Sequence, residues 1–140
     1  MRANQQMSRF LKTLQVRNVI LSPEISSVLA KGFVQEQGCV LLASEVHNAT
    51  HSRVGDAFDE TGYECFINHV HIRSLREALE FAHRLTNALA ERFKDRFVVI
   101  VSFDGRDATV RFHKLRAGQT YLTDNLEEYK DEGIAVFDSP

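Results

Sequence analysis

Apolar residues return along this chain at two different periods, and the changes of period divide it into elements. Met7, Phe10, Leu11 and Leu14 recur at spacings of three and four, which predicts a short amphipathic helix over residues 4–15. "VRNVIL", 16–21, reads as a strand. "SPEISSVLAKG" carries a helix start, with Ser22 as N-cap, Pro23 at the first position and Glu24 in the first turn. Ile25, Val28 and Leu29 form its apolar face and Gly32 its stop. "GCVLLASEV", 38–46, is nearly continuous in apolar residues and predicts another strand. Residues 47–62, "HNATHSRVGDAFDETG", are polar and sustain no period, so a long loop is expected there, of a length that often serves function. "YECFINHVHI", 63–72, reads as the next strand.

The second half is patterned more strongly. Ser74 and Glu77 form a capping box ahead of "LREALEFAHRLTNALAERF". There Leu75, Leu79, Ala82, Leu85, Leu89 and Phe93 make one apolar stripe, with Glu80 and Arg84 paired on the other face. "FVVIVSFDGRDATVRFHKL" predicts a β-hairpin around Asp104 and Gly105. Val99, Val101 and Phe103 share one face with Ala108, Val110 and Phe112, while Thr109, Arg111 and His113 point the other way. "TDNLEEYKDEG" predicts a short helix capped by Thr123 or Asp124, and "IAVFD" a last strand. The order implies one α+β domain over residues 1–140, with a single mixed or mainly antiparallel sheet covered by helices on one face.

Composition narrows the class. A chain of 140 residues with 44% hydrophobic and 26% charged residues can bury a core without disulfides or metal. Cys39 and Cys65 both lie in apolar runs and read as buried thiols in a reducing cytosol. No apolar run reaches the roughly 20 residues that span a bilayer, and "MRANQQMSRFLKTLQ" lacks the apolar stretch of a secretory signal. A cytoplasmic protein with no membrane association is the expectation. The net charge of −2 is unevenly spread. Arg2, Arg9, Lys12 and Arg17 fall in the first 20 residues, which carry no acid. "DAFDETGYE", from Asp56 to Glu64, holds four acids and no base, and "DNLEEYKDE", from Asp124 to Glu132, five acids and one lysine. No basic stripe with interleaved aromatics appears, which argues against direct binding of nucleic acid. Such acidic segments are either ordinary solvated charge or addressed to a basic partner.

The histidines offer the sharpest chemistry. His47 and His51 have H-x-x-x-H spacing, though Asn48 stands where a metalloprotease has its glutamate. His69 and His71 share one side of a strand. If the loop folds over that strand, His47, His51, His69 and His71 make a four-histidine metal site suited to zinc; otherwise they are ring side chains of a half-buried sheet. Cys65 is four residues from His69, about 13 Å along a strand, too far for a nucleophile and its base. No nucleophile elbow, Walker loop or dinucleotide-binding glycine motif is present, and a hairpin turn accounts for "FDGRD" without calcium. A non-enzymatic protein without cofactor is the reading, with a histidine-based metal-binding domain or hydrolase as the alternative. At the C-terminal end, Leu122, Leu126 and Tyr129 fit the core side, leaving Asp124, Glu127, Glu128, Asp131 and Glu132 outward beside Tyr121.

"GYECFINHVHI", the capped amphipathic helix, the hairpin "FVVIVSFDGRDATVRFHK" and the ending "YLTDNLEEYKDEGIAVFD" together resemble small bacterial immunity proteins of polymorphic or contact-dependent-inhibition toxin systems, over residues 55–138. The resemblance implies a cytosolic domain that binds and blocks a cognate toxin domain, in many cases a nuclease, by protein–protein interaction. The acidic segments fit that role, since a nuclease site is lined with basic groups that meet phosphate. The expected partner-binding residues are Asp56, Asp59, Glu60 and Glu64, with Asp124, Glu127, Glu128, Asp131 and Glu132.

Overall fold

The hairpin predicted from alternating apolar residues forms the centre of the molecule. In the computed structural model, which describes residues 1–14, 18–49, 53–55 and 58–139, β5 (Phe97–Phe103) pairs with β6 (Ala108–Lys114) in antiparallel register. Val99 meets Phe112, Val101 meets Val110 and Phe103 meets Ala108, so the two apolar faces coincide as the pattern required. The register continues one pair beyond the strands, the Asp104 amide donating to the Asp107 carbonyl at 3.2 Å, so the chain reverses through the two residues Gly105 and Arg106. The Asp104 carboxylate accepts from the Arg106 and Asp107 amides at 2.8 Å each and shapes the turn.

Around the hairpin the sheet runs in the order β1 (Arg2–Ala3), β7 (Gly133–Asp138), β5, β6, β4 (His69–Ile72), with every neighbouring pair antiparallel. A separate two-stranded hairpin joins β2 (Phe33–Glu36) to β3 (Cys39–Leu42). The fold is α+β.

One face of the sheet carries the main core. Helix α4 (Leu75–Arg92) lays Ala78, Phe81, Ala82, Leu85 and Leu89 against Val99, Val101, Val110 and Phe112. Ser74 caps it by accepting from the Glu77 amide. The Glu77 carboxylate does not close the predicted capping box. It reaches the Ser22 amide at 2.8 Å, tying α4 to the start of α2 (Pro23–Lys31), whose Ser22 cap, Pro23 and Gly32 stop are as predicted. Helix α1 (Gln5–Thr13) buries Met7 and crosses β7 at Gly133, where an added Cβ would lie 3.0 Å from the Met7 Cα. On the opposite face residues 115–132, with one 3-10 turn at Leu126–Glu128, seat Leu126 on Ile100, Ile134 and Val136.

Four expectations change. No strand forms over the described part of 16–21: Ile20 is 90% exposed and only Leu21 is buried. The strand expected over 38–46 stops at Leu42 and passes into a 3-10 segment, Ala43–Ala49. It is preceded by β2, unforeseen because its turn uses Gln37 and Gly38, both at positive φ (54° and 75°), rather than an Asn-Gly or Asp-Gly pair. Residues 63–67, expected as strand, belong to helix α3 (Glu60–Ile67), capped by Asp59, which accepts from the Gly62 amide at 2.7 Å. Finally, the acidic C-terminal stretch makes only the short 3-10 turn, capped by Asn125 rather than by Thr123 or Asp124.

Candidate functional site

Helix α3 stands where a strand would otherwise join the two sheets, and its side chains do the hydrogen bonding a strand backbone would do. Glu64 and Asn68 are fully buried. Glu64 accepts from the Val40 amide of β3 and the Lys114 amide of β6, each at 2.8 Å. Asn68 accepts from the Leu42 amide at 2.8 Å and donates to the Val40 carbonyl at 2.9 Å. Two edges are satisfied without a shared ladder, which buried backbone groups require.

The remaining charge on Glu64 is met by Arg116, whose Nη1 lies 2.6 Å from Oε1. That guanidinium also donates to the Thr61 hydroxyl and the Gly38 carbonyl. Glu64 is therefore an internal bridge and not a partner-binding residue. The helix turns it inward, whereas the sequence placed it beside a loop.

Its neighbours are also engaged. Asp59 is the α3 cap, and Glu60 accepts from the Gln119 amide group at 2.6 Å, a bond that holds its carboxyl below the usual range. Asp56 lies outside the described residues.

The C-terminal acids divide into three roles. Glu127 places both carboxylate oxygens 3.0 Å from the Gln5 amide, at the N-terminus of α1, where negative charge is favoured. Asp124 borders a cavity on the outer face of the sheet. Glu128, Asp131 and Glu132 gather with Asp104 of the hairpin loop around an open concavity that also exposes Lys130. Backbone donors hold the Asp104 carboxyl below its ordinary pKa.

The backbone beneath is fixed by Asn4, which is 1% exposed. Its Nδ2 donates to the carbonyls of Leu126, Tyr129 and Glu132 at 3.4, 3.2 and 3.0 Å. Its Oδ1 accepts from the Met7 and Ile134 amides at 2.9 and 3.0 Å.

The two acidic segments do not form one surface. Glu132 precedes Gly133, which pairs with Phe103 at the loop end of the hairpin, while Glu64 reaches Lys114 at the other end. A seven-residue strand separates those ends by about 20 Å.

His69 and His71 do share a side of β4, with ring centroids 5.3 Å apart. The His69 Nδ1 donates to the Phe66 carbonyl at 2.7 Å, and the His71 Nδ1 lies 3.3 Å from the Thr109 hydroxyl. His47 sits exposed on the 3-10 segment, and His51 lies outside the described residues. Among the described residues no three His, Cys, Asp or Glu side chains are grouped to hold a metal ion. Burial pushes the Cys39 thiol up to about 11 and raises Cys65 further, so both are protonated near neutral pH. Cys65 is on a helix rather than a strand and turns its sulfur towards the Phe112 carbonyl of β6.

A fifth histidine, His113, was placed only as facing away from the apolar side of the hairpin. It is 4% exposed, under the strap on the outer face. Its Nδ1 donates to the Lys114 carbonyl at 2.9 Å. Burial pushes its pKa below the ordinary value, offset in part by that carbonyl and by Glu64.

A depressed folded-state pKa gives stability that is complete above the unfolded value, about 6.5, and lost as pH falls through the folded value. Thermal melts between about pH 7.5 and about pH 5 are expected to show falling stability, at most about 1.4 kcal/mol per pH unit from this proton. His113→Gln should flatten that slope; an unchanged slope would assign the sensitivity to other groups.

The fold and these groups define an α+β domain with a buried charge bridge and an acidic concavity at one end of its sheet. Among the described residues no helix is long and apolar enough to cross a membrane. The chain belongs to the Uncharacterized protein PM0498 family, whose family model matches residues 2–140. No curated protein and no solved structure matches it. The residues that organise the site, Asn4, Asn68, Arg116 and Gln119, left no mark in the sequence pattern. Apart from Met7 beside Asn4 and Lys114 beside Arg116, their side-chain partners lie 26 to 130 positions away.

Proposed function

We propose that this protein binds and neutralises a basic toxin domain, in the manner of an immunity protein, through the concavity formed by Asp104, Glu128, Asp131 and Glu132. The carrying observation is the convergence of these four carboxylates, from two segments distant in sequence, on one exposed surface whose backbone Asn4 holds in place. Fixed carboxylates of one sign speed encounter with a basic partner and reject acidic ones, while the rigid backbone lowers the ordering cost of binding. Asp59 and Glu60 stand at the far end of the sheet and serve α3, so they lie outside this surface. Glu127 serves the N-terminus of α1 and Asp124 borders the outer-face cavity, so neither lines this surface. Action in the cytoplasm fits the two free, buried cysteines.

The test uses the toxic C-terminal domain of the larger protein that such a system encodes next to its inhibitor. The triple reversal Glu128→Lys, Asp131→Lys, Glu132→Lys is expected to weaken the complex by about 10²- to 10³-fold and to flatten its dependence on salt. Asp59→Lys with Glu60→Lys should change affinity several-fold at most. Equal affinity for both variants and the parent, by titration calorimetry at low and high salt, would sink the reading.

A further inference from the structure

At the loop end of the hairpin, where α1 ends and α4 begins, the surface opens into a concavity of about 370 Å³. Phe10 and Phe103 meet edge to face there, with ring centroids 4.8 Å apart, and Leu14 extends the apolar wall. Arg76, in the first turn of α4, is half-buried and lines the same space. Among the described residues its Nε is the one buried side-chain nitrogen or oxygen without a hydrogen-bond partner, and no ion pair meets the guanidinium. Its own helix supplies no counter-charge. Glu77 holds the Ser22 amide at 2.8 Å, and Glu80, one turn on, pairs with Arg84 at 2.9 Å. In the adjoining loop the Asp104 carboxylate is taken up by the Arg106 and Asp107 amides. A guanidinium drawn partly out of water without an acceptor is costly.

We propose that this concavity binds a small monoanionic carboxylate with a compact apolar body, its carboxylate on the Arg76 guanidinium and its body against Phe10, Phe103 and Leu14. The charge selects the head group. Unlike the acidic concavity and the outer-face cavity that Asp124 borders, this one is lined by one cation and, among the described residues, by no acid. The planar fork of a guanidinium matches the two oxygens of a carboxylate. Helix α4 adds the positive end of its dipole on the same side. The walls select the body, since the phenyl rings and the leucine give an anion without apolar surface nothing to bury. The volume lies within the range of small-molecule sites. The concavity shares no lining residue with the acidic surface, so it stands or falls independently of the proposed function.

The test titrates the full chain with phenylacetate, with its neutral isostere phenylacetamide and with acetate, followed by backbone amide resonances and the Arg76 Nε–H resonance. Phenylacetate is expected to bind saturably with a Kd of about 1 mM, shifting the amides of Leu75, Arg76 and Gly105 and moving the Arg76 Nε–H. Phenylacetamide and acetate should each bind about tenfold more weakly, the first for want of charge and the second for want of a body. Arg76→Gln should erase the preference for phenylacetate over phenylacetamide. Thr13→Phe, at an exposed position that lines the concavity, fills it without removing the guanidinium and should weaken phenylacetate by tenfold or more. Neither substitution touches the buried core, so both variants should keep the parent's spectrum elsewhere. Shifts that do not saturate, equal affinity for phenylacetate and phenylacetamide, or binding indifferent to Arg76→Gln or to Thr13→Phe would each overturn the proposal.

Discussion

Glu64→Gln is expected to cost about 3–5 kcal/mol in urea unfolding, a third or more of the stability of a typical domain. The substitution is nearly isosteric, so the loss is electrostatic and directional. In the native protein one carboxylate oxygen takes the Val40 amide, and the other takes the Lys114 amide and the Arg116 guanidinium. A glutamine keeps one acceptor and aims an NH₂ group at whichever donors face the other position. Arg116, whose side chain is 14% exposed, is then left charged with only neutral acceptors. Arg116→Gln alone should cost less, since the carboxylate would still hold both amides. The double variant should be less destabilised than the sum of the two, a coupling that a double-mutant cycle reads directly. A loss below about 1 kcal/mol for Glu64→Gln would mean that α3 does not depend on this bridge.

The same residue shows where the sequence was legible and where it was not. The hairpin, α1, α2 and α4 are specified by residues three, four or two positions apart and were readable, with the N-caps Ser22 of α2 and Ser74 of α4 but without Asn4, the cap of α1. The stretch 63–67 is apolar enough to pass for strand, because Tyr63 and Ile67 face the second core while Cys65 faces β6, so nearly every side is buried. A charged residue in such a stretch looks like the exposed edge of a strand. It is instead the interior of a helix, since α3 faces two sheets whose backbone amides need an acceptor. Charge clustering singled out Glu128, Asp131 and Glu132, but composition carries no information on register. That the 59–64 acids lie at one end of the hairpin and the 128–132 acids at the other follows only from Phe97 pairing with Lys114 and Phe103 with Gly133. The histidine pair of β4 was placed correctly on one side, and the histidine with the unusual environment, His113, is distinguished only by the strap that folds over it.

Asn4 links the stability of the fold to its proposed surface, and two substitutions there separate the links. Asn4→Ala removes the cap of α1, worth about 1 kcal/mol, and leaves the buried Ile134 amide without its acceptor, worth about 1–3 kcal/mol, so a total near 2–4 kcal/mol is expected. Asn4→Asp keeps an acceptor for the Met7 and Ile134 amides but turns a carboxylate oxygen towards the carbonyls of Leu126, Tyr129 and Glu132, which now repel it. The aspartate variant is therefore expected to hold hydrogen-exchange protection at Met7 and Ile134 and to lose it at Glu128 and Tyr129, whose amides close the 3-10 turn. The surface acids are untouched by this change and one negative charge is added beneath them, so simple charge counting expects tighter binding of a basic partner. If the fixed arrangement of Asp104, Glu128, Asp131 and Glu132 carries recognition, Asn4→Asp weakens the complex instead, because the partner must then order the segment as it binds. Affinity that rises with the added charge while exchange at Glu128 and Tyr129 accelerates would show that net charge, and not the geometry held by Asn4, recognises the partner.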